Sequence, residues 1–399
     1  MAVSVSTIPG SADAVTPLES DRAARLAAEW PVYAVLFSAA AIVIGLVWDI
    51  SWHRTIGRDT FWSPPHLLGQ AGAIVSGLAC GYLVLWTTFA GNAAARERSV
   101  TFWKYFHGPV GAWVCIWGAL MMITSAPFDN WWHSAYGLDV QIISPPHIVL
   151  ASGMVAVMMG AMLMALSAQN RATDPADKRR LGAIFTCSAA LILLMATTMV
   201  MENAGYANEM HASSFYRTTA FMLPLFMVTF ARASRVSWPA TRIALVYMAI
   251  ALAAMWILQL IPATPKLAPI YNAVTHMVPP PFPLLLVVPA LAIDVLLKRF
   301  GEDSDWRLSL FLGIAFVFTM IAAHWFWAEF MISPAARNFV FGAGKWDYST
   351  RVGDWGDKFW NVDAGRRVFA QGIAIAIAWA IMMSRLGLAW GKGMSRIRR

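Results

Sequence analysis

Residues 31–90 read PVYAVLFSAAAIVIGLVWDISWHRTIGRDTFWSPPHLLGQAGAIVSGLACGYLVLWTTFA, which is two apolar runs joined by a polar loop. A transmembrane helix needs about 20 mainly apolar residues, and the runs at roughly 31–49 and 66–90 meet that need. The two prolines before His66 suit the first turn of a helix, where a backbone N–H has no partner in any case. The stretch therefore predicts a helical hairpin that crosses a membrane.

Further apolar segments of the same kind extend through the rest of the chain. They lie at roughly 108–128, 147–168, 181–202, 215–233, 241–261, 278–297, 307–331 and 367–390. The composition agrees, because the chain is 58% hydrophobic and only 13% charged, whereas a soluble domain usually carries about 25% charged residues. We expect an all-α polytopic membrane bundle of about ten transmembrane helices arranged as hairpin repeats.

The basic residues indicate an orientation. The net charge is +8, and most of it falls in alternate short loops and the C-terminal tail, which the positive-inside rule places in the cytoplasm. The loop residues are Arg96, Arg98, Lys104, Arg171, Lys178, Arg179, Arg180, Arg232, Arg235, Arg242, Lys298, Arg299 and Arg307. Both termini are then expected in the cytoplasm, and the expected location of the chain is a bacterial inner membrane. Charge placed this way favours a lipid bilayer, and not nucleic acid, as the partner.

Four regions follow from this topology. Residues 1–29 form a cytoplasmic tail without the apolar core of a signal peptide, and residues 30–170 hold the first two hairpins. Residues 171–390 add further hairpins with a long outer loop at 332–366, and residues 391–399 form a basic cytoplasmic tail. Cys80, Cys115 and Cys187 sit singly in apolar segments and predict no disulfide framework.

One pattern occurs twice at the outer ends of the first two hairpins. Asp49-Ile-Ser-Trp-His53 continues to Ser63-Pro-Pro-His66, which we call the first motif. The second motif runs from Asp129-Asn-Trp-Trp-His133 to Ser144-Pro-Pro-His147. An aspartate and a histidine four residues apart share one face of a helix, and imidazole with carboxylate is a common metal-ligand set. We predict metal ligands at Asp49, His53, His66, Asp129, His133 and His147, although Asp49 could instead pair locally with Arg54 or Arg58.

A second group of ionisable residues lies on the same face. Asp59 and Asp139 each follow the first histidine of a motif by six residues. The others are at outer helix ends and loops: Glu202, His211, His276, His324 and Glu329. Ionisable side chains in or near a bilayer are costly and point to function. They could complete a second metal site, relay protons, or bond only one another and tryptophan N–H groups.

From Asp49 to His66 the chain resembles the metal-binding motif of the C subunit of particulate methane monooxygenase and ammonia monooxygenase. That pattern is Asp-x3-His-x12-His, with Trp before the first histidine, Arg-Asp-Thr between the histidines and Pro-x-His at the end. All these positions are filled here. The resemblance implies a copper triad at Asp49, His53 and His66, oxidation of a small apolar substrate with O2, and further membrane subunits.

The chain also departs from that family. The family's C subunit is shorter and carries the motif once, and the second motif here lacks the Arg-Thr flanks and has one more residue between its histidines. Iron or zinc would suit the same ligands as copper. A metal-transport or metal-handling protein, or a structural subunit of a membrane complex, are the alternatives. The lack of charged groups at mid-depth in the first four helices favours the oxidoreductase.

Some classes of function lose support because their motifs are missing from the chain. GxxxxGK[ST], HExxH and CxxCH do not occur in the sequence. Nucleotide hydrolysis by a P-loop, zincin chemistry and c-type haem attachment are therefore not indicated.

Overall fold

The computed structural model describes residues 17–57, 60–137, 144–203, 211–264, 274–280, 282–301, 304–342, 363 and 365–399, without the side chains of 17–28, 202, 203 and 332. The helices are α1 Pro17–Thr55, α2 Pro64–Phe89, α3 Ala93–Glu97, α4 Val110–Tyr136, α5 Pro145–Arg171, α6 Pro175–Asn203, α7 Ser213–Ala233, α8 Pro239–Leu258, α9 Val287–Phe300, α10 Asp305–Ile332 and α11 Arg366–Met394. Among these residues, two short antiparallel strands, β1 Val100–Phe102 and β2 Phe106–Gly108, precede α4, and a 3₁₀ turn at Pro334–Ala336 follows α10.

Within the described chain, eight helices are long and apolar enough to cross a membrane: α1, α2, α4, α5, α6, α8, α10 and α11. Large apolar side chains project outward from them. Leu78 is 70% exposed, Phe37 60% and Phe318 58%. Apolar surface on this scale needs a cover, and lipid tails provide one. The all-α membrane bundle predicted from the sequence is confirmed, and the chain is an integral membrane protein.

The hairpins pack side by side. Helix α1 pairs with α2, and α4 pairs with α5, while α2 contacts α4 and α1 contacts α5. Because successive helices run antiparallel, α1 and α4 end where α2 and α5 begin. We call this the motif end of the bundle, since it holds His53, His66, His133 and His147. The β1–β2 hairpin lies at the opposite end.

The two hairpins cross in the same way. A Cβ atom on Gly153 would lie 2.7 Å from the carbonyl oxygen of Gly118, and one on Gly72 would lie 2.9 Å from that of Ser38. Ser38 and Gly118 stand 15 residues before the first histidines of their motifs, and Gly72 and Gly153 stand six residues after the second. Small residues let helix backbones approach closely in membranes. The repeat is thus one of packing as well as of sequence.

The segment predicted as a helix over 278–297 is helical only in its second half. Helix α9 begins at Val287, and the residues described between 274 and 286 are irregular. Pro279, Pro280 and Pro283 explain the difference, because proline lacks the N–H that an interior helical turn needs. The irregular stretch is nonetheless buried, with Phe282 1% exposed. Irregular backbone survives at membrane depth only when protein covers it.

A buried carboxylate fixes the start of α8. Asp294 in α9 is 4% exposed, and it accepts hydrogen bonds from the backbone N–H groups of Ala240 (3.0 Å) and Thr241 (2.8 Å) and from the Thr241 hydroxyl (2.7 Å). These are N–H groups that a helix cannot satisfy within itself. The contact joins the short α9 to the first turn of α8.

Replacing Gly153 with Ala tests the crossing of α4 and α5. The added methyl group must push against the Gly118 backbone, so we expect a loss of about 1–3 kcal/mol in unfolding free energy, measured as a lower Tm in detergent. Gly81→Ala in α2 is the matched control, since its Cβ would meet nothing within 4 Å. Equal melting of the two variants would contradict the close crossing.

Candidate functional site

The first motif brings its three predicted ligands together. Asp49 and His53 lie one turn apart near the end of α1, and His66 is the third residue of α2. Oδ2 of Asp49 is 3.8 Å from Nε2 of His53, and Oδ1 is 3.1 Å from Nε2 of His66. The carboxylate is therefore the shared neighbour of two imidazoles from opposite sides of the hairpin.

The second motif repeats this arrangement. Oδ2 of Asp129 is 3.4 Å from Nε2 of His133, one turn further along α4. Oδ1 of Asp129 is 3.7 Å from Nε2 of His147, the third residue of α5. The side chains of both motifs are partly exposed, from 21% for Asp49 to 51% for His53. Each motif thus brings one aspartate within 4 Å of the polar atoms of two histidines, and the binding of a metal by these residues stays a prediction.

Hydrogen bonds to nearby backbone carbonyl groups orient two of the imidazole rings. The Nδ1–H group of His66 donates to the carbonyl of Thr60 (3.0 Å), which also accepts from the Ser63 N–H (2.9 Å). In the second motif, Nδ1–H of His133 donates to the carbonyl of Gly137 (3.1 Å). A carbonyl bond at Nδ1 leaves Nε2 as the nitrogen that can bind an ion, which is the usual support for a metal-binding histidine. Nε2 is the atom that faces the carboxylate in both motifs.

A glycine ends the first helix of each hairpin. Gly57 and Gly137 both stand four residues after the first histidine of their motif, with φ of +97° and +88°. Side chains disfavour positive φ, and glycine does not. The chain can therefore turn away at once after each histidine and place the Gly137 carbonyl over His133.

The spacing of the ligand atoms suits a shared cation. Ligand bonds of about 2.0–2.2 Å place two donors of one tetrahedral ion about 3.3–3.5 Å apart. Two of the four carboxylate–imidazole separations, 3.1 and 3.4 Å, are close to this range, and the other two are longer, at 3.7 and 3.8 Å. Oδ1 of Asp49 and Oδ1 of Asp129 are shielded from solvent and accept no hydrogen bond of good geometry. In the first motif, the Nδ1–H bond of His66 leaves its Nε2 atom facing Oδ1 of Asp49, and a cation between these two atoms would contact both.

The ligand atoms do not yet form a closed shell. Among the described residues, no group of three or more His, Cys, Asp or Glu side chains is arranged to hold a metal ion as it stands. Each carboxylate touches both of its imidazoles, and metal binding requires the three ligand atoms to draw together around one point. The donor chemistry fits a metal, and the three atoms of each motif would have to rearrange around one point to hold it.

The structure divides the second group of predicted residues. Asp59 and Asp139 lie outside the described residues, as does the side chain of Glu202.

His211 lies close to Trp325 and Glu329. Its Nε2 atom is 2.9 Å from the Trp325 carbonyl oxygen, and the rings of His211 and Trp325 stack with their centroids 4.0 Å apart. Burial lowers the pKa of His211, opposed by its backbone bond and by the charge of Glu329. A neutral ring stacked on tryptophan suits an anchor for α7 better than a metal ligand.

His276 lies within the irregular segment, and His324 lies beside it. Nδ1 of His276 is 2.9 Å from the Thr275 hydroxyl, and Pro262 pairs with His276 as an isolated bridge. His324 is fully buried in α10, where its Nδ1–H group faces the Met320 carbonyl at 3.3 Å. The structure brings neither of them into the motifs.

Thr55 is a site residue that the sequence did not reveal. Its hydroxyl donates to the Ser51 carbonyl (2.7 Å) and accepts from the N–H of Val278 (2.8 Å). A threonine two residues after His53 therefore ties the end of α1 to the irregular segment. No local pattern identifies it, because its partner is 223 residues away.

Comparisons with known proteins add no relative: no protein-family model, no curated protein and no solved structure matches the chain.

Replacing Thr55 with Val tests the tie between α1 and the irregular segment. The variant leaves the buried N–H of Val278 without an acceptor, so we expect a loss of about 1–3 kcal/mol in unfolding free energy, measured by thermal melting in detergent. Thr124→Val is the control, since the exposed Thr124 hydroxyl bonds only within its own helix among the contacts described. If both variants melt alike, the tie does not hold the segment.

Proposed function

We propose that the chain is a copper-binding membrane oxidoreductase similar to the C subunit of the methane and ammonia monooxygenases. Asp49, His53 and His66 are its ligands. Copper held there would supply the one-electron chemistry that O2 needs to attack a small apolar substrate. The proposal includes further membrane subunits, as the resemblance implies.

One observation carries this proposal. The Asp49 carboxylate faces Nε2 of both His53 and His66, with the His66 ring oriented by the Thr60 carbonyl. The three residues that match the family pattern are the three that meet. Spacing in the sequence alone did not require that meeting, since two of the ligands are on one helix and one is on the next.

The protein's own side chains prepare the site. The two carboxylate oxygens of Asp49 offer one negative charge, and the imidazoles can bind as neutral ligands. A Cu(II) ion there keeps a net charge of +1, which an exposed site at a membrane surface can bear. Trp48 and Trp52 pack on the core beside Asp49, so they limit the access of water from the bundle side.

The second motif has the same geometry and a different loop. Its Asp129 also faces two imidazoles, but the Arg-Thr flanks of the central aspartate are missing from its sequence. We assign it a second copper site with a distinct role, such as passing electrons or metal to the first motif. Both motifs are placed at the periplasmic face, in line with the basic loops at the opposite end.

Metal transport is the second candidate, and the irregular segment favours it. Transporters commonly bind their substrate where a membrane helix is broken. Here the buried stretch before α9 lies beside the buried ring of His324. On this reading, the motifs collect an ion at the membrane surface and the broken helix passes it on.

Metal analysis of the purified protein tests the copper assignment. We expect the His53→Ala/His133→Ala variant to lose most of its bound copper, because each substitution removes one of three ligands. Asp49→Asn alone should lower the content of the first site. His107→Ala is the control, since His107 lies in β2 at the opposite end and contacts Thr101. An unchanged copper content in the double variant would contradict the proposal. Iron or zinc bound in place of copper would show that the metal was assigned wrongly.

The same preparations separate oxidation from transport. Copper-dependent oxidation of a short alkane, with its partner subunits present, supports the oxidoreductase. Copper uptake into protein-containing vesicles without any oxidation supports the transporter instead.

Thiol labelling tests the orientation. In a chain carrying Cys187→Ser, we expect a membrane-impermeant maleimide to label the Ser134→Cys variant from the periplasmic side. Ser134 is exposed at the motif end, and Lys104, between β1 and β2, is exposed at the opposite end. The Lys104→Cys variant should therefore react only after the membrane is opened. The reverse pattern would place the motifs in the cytoplasm.

A further inference from the structure

Three sulfur atoms meet inside the bundle, away from both motifs. They belong to Cys80 in α2, Cys115 in α4 and Met164 in α5. Sγ of Cys80 is 4.0 Å from Sδ of Met164, and the thiols of Cys80 and Cys115 contact each other. Both cysteines are fully buried, and Met164 is 4% exposed. The sequence had shown three isolated cysteines, and the fold brings two of them together across 35 positions.

The packing around Cys115 holds its thiol in place. Sγ of Cys115 lies 3.6 Å from the Val157 carbonyl oxygen. A Cβ atom on Gly160 would lie only 2.3 Å from this sulfur atom, which is too close for both to fit. Gly160 thus leaves the space that the thiol fills. Met164 follows Gly160 by one helical turn, so α5 presents its thioether beside the same thiol.

A polar group accompanies the sulfur atoms. The hydroxyl of Ser76, one turn before Cys80, is fully buried and interacts with the thiol of Cys115. It places one oxygen atom beside the two thiols.

The distances match a small soft cation. Two sulfur ligands with bonds of about 2.3 Å around one three-coordinate ion lie about 4.0 Å apart, which is the separation of Cys80 and Met164. Thiolate and thioether ligands favour soft metal ions such as Cu(I), and they also bind zinc. A bound Cu(I) ion balanced by one thiolate leaves no net charge, and one thiol proton is released. A divalent ion would leave a buried charge unless both thiols ionised, and buried charge is expensive.

The position relates the sulfur atoms to both motifs. Cys80 follows His66 by 14 residues, and Cys115 precedes Asp129 by 14 residues. At 1.5 Å per residue, the thiols lie about 21 Å along the helix axes from the motif end. The same two helices therefore carry nitrogen and oxygen ligands at one depth and sulfur ligands at another.

We propose that Cys80, Cys115 and Met164 form a buried Cu(I) site, with Ser76 lining it. The site goes beyond the function proposed for the motifs and does not depend on their ligands. It gives the bundle a place for reduced copper within the membrane.

Titration with Cu(I) under anaerobic conditions, in competition with a chromophoric Cu(I) chelator, tests the proposal on the full-length protein. We expect Cys80→Ser and Cys115→Ser each to lose one tightly bound Cu(I) per chain. Met164→Leu should weaken that Cu(I) by ~10-fold or more, since it removes one of three soft ligands. Cys187→Ser is the matched control, because Cys187 is a free, half-buried cysteine in α6. Its Cu(I) content should equal that of the unchanged protein.

Two measurements keep this test separate from folding and from the motifs. In the unchanged protein, Cu(I) should slow the alkylation of Cys80 and Cys115, but not of Cys187, by a membrane-permeant reagent during an exposure long enough to label the two buried thiols of the metal-free protein through local opening, as read by mass spectrometry. X-ray absorption of the His53→Ala/His133→Ala variant loaded with Cu(I) should show sulfur neighbours at about 2.3 Å. Equal Cu(I) binding by the Cys80→Ser/Cys115→Ser variant, or alkylation unaffected by Cu(I), overturns the site. Loss of copper only in the motif variants would support the function proposed for the motifs, and it would contradict a Cu(I) site at the sulfur atoms.

Discussion

Every peptide group that enters the hydrocarbon layer has to find its hydrogen bond within the protein, and this requirement shapes the whole bundle. Eight spans in the described chain meet it by forming uninterrupted helices. The residues before α9 cannot, because of their prolines, so other elements supply the partners. The Thr55 hydroxyl receives the Val278 N–H, and the Ile261 carbonyl receives the Met277 N–H. The end of α1 thus serves both the irregular segment and the first motif.

A few residues at the ends of two helices are enough to bring the same three side chains together in both motifs. A helix that ends at a glycine carries an aspartate and a histidine on one face, and a helix that starts with two prolines returns a histidine to the same place. Gly57 and Gly137 end the outgoing helices, and Ser63 and Ser144 precede the returning ones. The donor atoms are fixed by backbone geometry, so the loops between them are free to differ, as they do.

Much of this was predictable, for identifiable reasons. Length and apolar composition of the segments predict the helices, and the four-residue spacing of Asp49 and His53 predicts their shared face. The broken span was missed because a hydropathy window does not register what Pro279, Pro280 and Pro283 do to a helix. The Thr55–Val278 bond and the meeting of Cys80 with Cys115 depend on contacts between distant parts of the chain. No local pattern in a single sequence encodes such contacts.

The two helices of each hairpin touch most closely at one crossing point, about which they can rotate relative to each other. Gly153 lies six residues, or about 9 Å, from His147 at the motif end, and the crossing at Ser38 and Gly72 stands in the same relation to the first motif. Rocking the helices about such a pivot changes the gap between carboxylate and imidazole while the helices themselves stay rigid. Ligand geometry at the motif end would therefore depend on the angle at which the two helices of each hairpin cross.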